Sequence, residues 1–139
     1  MKTYFKFLSL FSTVILIPNL ALSECQCPEK PSLTQAVKDA SVVFAGRVTN
    51  IRKSALRQGQ LEVRFSILKY LSGDIDGNKP ELVVVFTPEE LGTCGLKFVS
   101  EQDYLVFASG NPANLKTTSC TRTAALDISQ EDVKALEAR

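Results

Sequence analysis

Two cysteines one residue apart, Cys25-Gln26-Cys27, are followed by two more far down the chain, Cys94 and Cys120, and this spacing constrains the fold more than any other feature. A bond between Cys25 and Cys27 would close a ring across a single residue, at odds with the Cα separation that an unstrained disulfide prefers. Of the three connectivities open to four cysteines, two long-range ones remain, and each ties neighbouring N-terminal residues to distant parts of the chain. In the chain-entropy account each such loop stabilises the fold by about 4 to 5 kcal/mol, a large share of a total of about 5 to 15 kcal/mol. Two other uses of the thiols fit less well. A four-cysteine zinc site wants two closely spaced pairs, whereas Cys94 and Cys120 are far apart in sequence. A redox pair at Cys25-Gln26-Cys27 would leave Cys94 to bond Cys120, and no Lys, Arg or His adjoins the motif to depress a thiol pKa.

The compartment suits disulfides. Lys2 and Lys6 precede an almost wholly apolar stretch, Phe7 to Ile17, and Ala21-Leu22-Ser23 puts small residues where signal peptidase reads them. Residues 1–23 therefore read as a signal peptide cut before Glu24; the apolar run is too short to span a bilayer, so no transmembrane segment is expected. Secretion to a periplasm or to the extracellular space exposes thiols to oxidising conditions. The remaining 116 residues, 24–139, suffice for one hydrophobic core and one domain, expected as a monomer. They carry 14 basic and 15 acidic side chains, a balance that does not draw nucleic acid. The chain has no histidine, hence neither the commonest general base nor the commonest metal ligand. Ser, Thr and carboxylates occur, but in no motif that sets a nucleophile beside a base, so the chain reads as a non-enzyme without a cofactor.

Period-two patterning dominates. Leu61, Val63, Phe65 and Ile67 alternate with Glu62, Arg64 and Ser66, which predicts a half-buried strand. Val42, Phe44, Gly46 and Val48 line one face of an earlier strand, with Gly46 marking a bulge or bend of the kind that curls a sheet. Leu82 to Phe86 and Tyr104 to Ala108 are apolar runs that suggest strands buried on both faces, and Leu115 to Thr118 suggests a short final strand. Turn signals separate them at Gln58-Gly59, Ser72-Gly73-Asp74 through Asp76-Gly77-Asn78, and Gly110-Asn111-Pro112. A helix starts at Ser32, with Gln35 completing a capping box and Leu33, Ala36, Val37 and Ala40 on one face. A second follows Ser129, with Asp132 near the first-turn amides, Ile128 stapled to Val133, and Val133, Leu136 and Ala135 docking it.

Five pieces then occur in one order: Cys25-Gln26-Cys27-Pro28, Val43-Phe44-Ala45-Gly46-Arg47-Val48, Cys94-Gly95-Leu96-Lys97-Phe98, Tyr104-Leu105-Val106-Phe107-Ala108 and Ser119-Cys120-Thr121-Arg122-Thr123. Together they resemble the netrin-like module, best known as the N-terminal domain of the tissue inhibitors of metalloproteinases. The resemblance implies a mainly β fold: a five-stranded OB-type barrel with flanking N- and C-terminal α-helices. It also implies disulfides from Cys25 to Cys94 and from Cys27 to Cys120. In that family the first cysteine's free α-amine and carbonyl chelate a target's catalytic zinc, and the next side chain enters the specificity pocket. Carried over, Cys25 is the chelator and Gln26 the pocket residue, Cys27 and Pro28 continue the ridge, and Gly92 and Thr93 adjoin it. The implied partner is a zinc metalloprotease or another extracellular protein. One departure bears on this: Glu24 precedes Cys25, and an amide there cannot chelate as an amine does.

A separate expectation rests on charge. Arg47, Arg52, Lys53, Arg57, Arg64 and Lys69 crowd one hairpin with only Glu62 among them, which suggests a site for an anionic glycan or lipid headgroup, since OB-type barrels use such faces for oligosaccharides. A structural or glycan-binding envelope module is therefore the alternative to protein binding.

Overall fold

The computed structural model describes residues 14–16 and 24–139, so all but three residues of the expected signal peptide, and its cleavage site, lie outside the described residues. The chain runs α1 (Leu33–Asp39), β1 (Val42–Lys53), β2 (Gln60–Gly73), β3 (Leu82–Pro88), β4 (Asp103–Ala108), β5 (Ala124–Ala125) and α2 (Gln130–Glu137), with short 3-10 turns at Leu91–Thr93 and Leu126–Ile128. The strands form one antiparallel sheet in the order β3-β2-β1-β4-β5, flanked by the two helices. Among the described residues no helix is long and apolar enough to cross a membrane.

The long β1–β2 hairpin follows from the alternation. Val63 and Phe65 are fully buried while Arg64 between them is exposed, and Gly59 takes the positive φ needed at the turn. Register shifts interrupt the pairing at three places, one of them between Ala45 and Gly46, where the glycine predicts a bend. A Cβ on Gly46 would stand 3.0 Å from the Phe44 ring and 3.3 Å from Phe65 Cβ. The missing side chain thus lets two aromatic residues meet over the bend, their rings edge to face with centroids 5.5 Å apart.

Alternation along β1 and β4 feeds two apolar clusters. Phe44, Val48, Val63, Phe65, Val85 and Val106 belong to the larger one, which Phe98 and Tyr104 extend by edge-to-face contacts at 5.4 and 4.8 Å. Val43, Leu105 and Phe107 point to the opposite side, where Ala36 of α1 and Leu136 of α2 cover them. β4 is accordingly buried on both faces, as its unbroken apolar run suggests.

Expectations are corrected at four places along the chain. Leu82–Phe86 is not fully buried on both faces: Val83 and Val85 are buried, but Leu82 is exposed and Val84 and Phe86 are half-buried, since β3 lies at the sheet border while α1 and α2 pack over β1 and β4. The segment from Leu115 to Thr118 is not a regular strand; Lys116 makes isolated bridges to Phe86 and Ser109, and the last strand is Ala124–Ala125. At α2 the Ser129 hydroxyl donates to the Ala125 carbonyl at 2.9 Å instead of accepting from a first-turn amide. Ile128 there is exposed rather than stapled to Val133, and Ala135 is exposed while Val133 and Leu136 dock. At α1 the cap is one-sided: Ser32 Oγ accepts from Gln35 N at 3.2 Å, but the Gln35 side chain turns to Asp39.

Candidate functional site

The cysteine end is built almost entirely from loops. Cys25 pairs with Cys94 and Cys27 with Cys120, with Cα separations of 4.9 and 5.2 Å, the connectivity that the resemblance implies. Cys94 follows the Leu91–Thr93 turn and adopts a left-handed conformation, φ 67°. Such a conformation costs a non-glycine residue energy, and two features hold it here. Gly95, next in the chain, packs so closely that a Cβ would overlap the Pro88 carbonyl oxygen, and its N–H donates to Glu90 O at 3.0 Å. Leu96 N donates to the buried Thr87 hydroxyl at 3.1 Å, pinning the loop to the end of β3.

The second cysteine loop is tied to the first. Ser119 N donates to Cys94 O at 2.9 Å, and Ser119 Oγ stands 3.5 Å from Cys25 Sγ. Beneath Cys120 lies a cluster of threonine hydroxyls. Thr117 Oγ1 donates to Phe107 O at 2.9 Å and meets Thr121 and Thr123 hydroxyls at 3.1 and 2.8 Å, while Phe107 N donates to Thr123 Oγ1 at 2.9 Å. These bonds satisfy buried polar groups, which are costly when left unpaired, and fix the loop against β4. Arg122 then clamps the N-terminal segment to α2, with bidentate bonds to Asp132 at 2.9 and 2.8 Å and a bond to Pro31 O at 3.1 Å. Asp132 serves this clamp.

These ties leave the start of the domain exposed beside the Cys94 loop. Gln26, Cys27 and Pro28 are exposed, Cys25 is half-buried beside them, and the Cys25–Cys94 bridge brings half-buried Gly92 and exposed Thr93 alongside. Spacing on the chain flags the cysteines, but not Thr87, Gly95, Ser119, the three threonines or Arg122 in their supporting roles. The nearest signal to these is the density of hydroxyls from Thr117 to Thr123, since short polar side chains often bond local backbone.

The basic hairpin is arranged differently. Arg47 meets Asp103 at 2.7 and 3.0 Å, Arg52 meets Glu62 at 2.6 Å, Lys53 meets Glu89 at 2.6 Å and Lys69 meets Glu137 at 2.7 Å. Arg57 lies 4.0 Å over the Phe86 ring and donates to Asn114. Among the described residues only Arg64 of the six is exposed without such a partner. The hydrogen bond from Arg47 holds the Asp103 carboxyl below its ordinary range, and that from Arg52 does the same for Glu62. Glu89 in turn raises Lys53. Three of the four neutralising acids come from outside the hairpin and are invisible in its local sequence, so the surface offers a polyanion far less free positive charge than six clustered cations suggest.

No family model matches the sequence, and no curated protein matches it either.

Proposed function

We propose that this protein is a secreted netrin-like module, periplasmic or extracellular, that acts by binding another protein through its disulfide-anchored ridge, and not by catalysis. The observation that carries the reading is the side-by-side placement of the two bridges, which presents Cys25-Gln26-Cys27-Pro28 next to Gly92 and Thr93 on a rigid base. A preorganised segment avoids the ordering cost that a flexible one incurs on binding. The OB-type barrel reading draws support from Lys116, whose neighbours bond both borders of the gap. Phe86 N donates to Leu115 O at 2.8 Å and Thr117 N to Phe86 O at 2.9 Å, while Ser109 and Lys116 exchange bonds at 3.0 and 2.8 Å. β3 and the end of β4 are thereby linked through one intervening segment, as a closed barrel requires.

Within this reading, the partner whose chemistry best fits the ridge is a zinc metalloprotease, which keeps an open coordination position that an amine and carbonyl at Cys25 can fill in a form from which Glu24 has been removed. The test compares three forms: one beginning at Cys25, one beginning at Glu24, and one beginning at N-acetylated Cys25, each with both disulfides confirmed by mass. The first is expected to inhibit zinc metalloproteases at least about tenfold more tightly than the others, about 1.4 kcal/mol or more. Equal inhibition by all three would reject chelation and leave surface binding by the ridge. Absence of inhibition by all three would remove this partner class.

A further inference from the structure

The two bridges do more than lie near one another. Their four sulfur atoms all fall within 4.8 Å of each other. Between the bridges, Cys25 Sγ is 3.8 Å from Cys27 Sγ and 3.8 Å from Cys120 Sγ, and Cys94 Sγ is 3.6 Å from Cys120 Sγ. A tetrahedral ion with metal–sulfur bonds of about 2.3 Å has sulfur–sulfur edges of about 3.8 Å. Three of the six edges of such a tetrahedron are therefore already near that length in the oxidised protein. Two more are the disulfide bonds, which lengthen once broken, and the sixth, Cys27 to Cys94, is within reach at 4.8 Å or less.

We infer that the reduced form of this protein is a four-thiolate site for Zn2+, assembled from the same cysteines that form the two disulfides in the oxidised protein. Sequence spacing argues against zinc because Cys94 and Cys120 are far apart along the chain; the bond from Ser119 N to Cys94 O removes that objection by bringing their loops together. The donor set suits the ion, since four thiolates in a tetrahedral array select zinc over hard cations. Cys27 is exposed and the other three cysteines are half-buried, which gives a reductant and an ion a way in. Ser119 Oγ, 3.5 Å from Cys25 Sγ, can donate to the thiolate, the kind of outer contact that orients metal ligands.

The chemistry balances with a dithiol as reductant. Two dithiols are consumed, one per bridge: each gives its bridge two electrons and two protons and is itself closed to a disulfide, leaving four protein thiols. Zn2+ then binds the sulfurs as thiolates, the four protons pass to solvent, and the metal keeps its oxidation state. A disulfide-class oxidant reverses the sequence by taking two electrons from each pair, rebuilding the bridges and releasing the ion. In either state Cys25-Gln26-Cys27 stays anchored beside residues 92–94, by bonds to sulfur in one case and through the ion in the other.

The experiment uses the chain from Glu24 to Arg139, reduced by a dithiol, desalted without oxygen and titrated with Co2+ as a spectroscopic stand-in for Zn2+. One equivalent should bind per monomer with the thiolate charge-transfer and tetrahedral d–d bands of a four-sulfur site, and Zn2+ should displace it. Cys25→Ser, Cys27→Ser, Cys94→Ser and Cys120→Ser, each made singly and fully reduced, should each weaken binding by roughly a hundredfold, about 2.7 kcal/mol. Unchanged affinity in Cys94→Ser and Cys120→Ser would overturn the proposal, because the CxC pair alone would then be the ligand. So would a complex of two chains per ion. A reduced Phe65→Asp chain, its core broken, controls for flexible thiols: binding as tight as in the intact sequence would show that the fold contributes nothing. Where the reduced chain loses near-ultraviolet circular dichroism, Zn2+ should restore it, as metal binding and folding are linked; metal uptake without that recovery would also overturn the proposal.

Discussion

The β1–β2 hairpin and the cysteine end achieve rigidity by opposite means. The hairpin is a long ladder, shifted in register at three places, with a filled apolar face, and all of its six clustered basic side chains but Arg64 have partners across the strands or on neighbouring elements. The cysteine end has almost no ladder. It holds three loops, around Cys25, Cys94 and Cys120, by two disulfides, the buried threonine hydroxyls and the Arg122 clamp. Structure in the hairpin is local and periodic, so it forms wherever its pattern is obeyed. At the other end it is non-local, and each contact depends on all the others having brought distant residues together. Recognition surfaces are commonly built in the second way, on loops positioned by a rigid scaffold.

The largest effect should come from breaking the scaffold itself. Phe65 is fully buried between Phe44 and Phe98, and Phe65→Ala is expected to cost about 3 to 5 kcal/mol, read as a fall in the urea midpoint at unchanged slope. Both regions should unfold together in that variant, since the cysteine loops rest on β3 and β4. A loss below about 1 kcal/mol would mean that the aromatic cluster is not the shared core.

Removing one tie at the loop end should act more narrowly. Cys27→Ser combined with Cys120→Ser leaves the other bridge intact and is expected to destabilise the fold by about 2 to 4 kcal/mol. Hydrogen exchange should rise around residues 26–30 and 118–121 while the paired amides of β1 and β2 keep their protection. Equal loss of protection in the hairpin would erase the distinction between the two regions.

The same distinction governs what the sequence makes legible. The alternation from Leu61 to Ile67 and the glycine at position 46 point directly to a strand and a bend, because period two and a missing Cβ act on immediate neighbours. The run Leu82–Phe86 misleads because three consecutive valines look alike whether one face is covered or two; only the place of β3 at the sheet border decides it. Ser129 has the residue type of a cap, yet its hydroxyl turns back to Ala125, a choice made by local backbone geometry that residue type does not encode. Of the site, the cysteines are visible by spacing and their pairing is implied by resemblance. Thr87, Gly95 and Arg122 are not visible in these roles, as their partners lie on other elements. The basic hairpin errs in the same direction: Asp103, Glu89 and Glu137 neutralise it from a distance.

The smallest effect concerns those ion pairs, and it separates the two regions by pH. Asp103 and Glu62 have folded pKa values below their ordinary values of 3.8 and 4.5, chiefly because Arg47 and Arg52 donate hydrogen bonds to the ionised forms. A carboxyl with a depressed folded pKa binds protons more readily in the unfolded chain, so stability rises with pH through that range. Its contribution is complete above the ordinary value and is lost as pH falls through the folded one. Asp103→Asn should therefore lower the urea midpoint slightly at neutral pH, and the difference from the parent protein should vanish on acidification below the folded pKa. Salt should shrink it at neutral pH as well, because the pair is exposed enough to be screened. The hydroxyl bonds among Thr117, Thr121 and Thr123 carry no charge, so Thr117→Val, measured in parallel, should give a loss that neither acid nor salt removes. If the two variants instead shared one pH profile, the hairpin charges and the cysteine-end hydroxyls would belong to a single coupled network, and the contrast between a charged, screened region and an uncharged, buried one would fail.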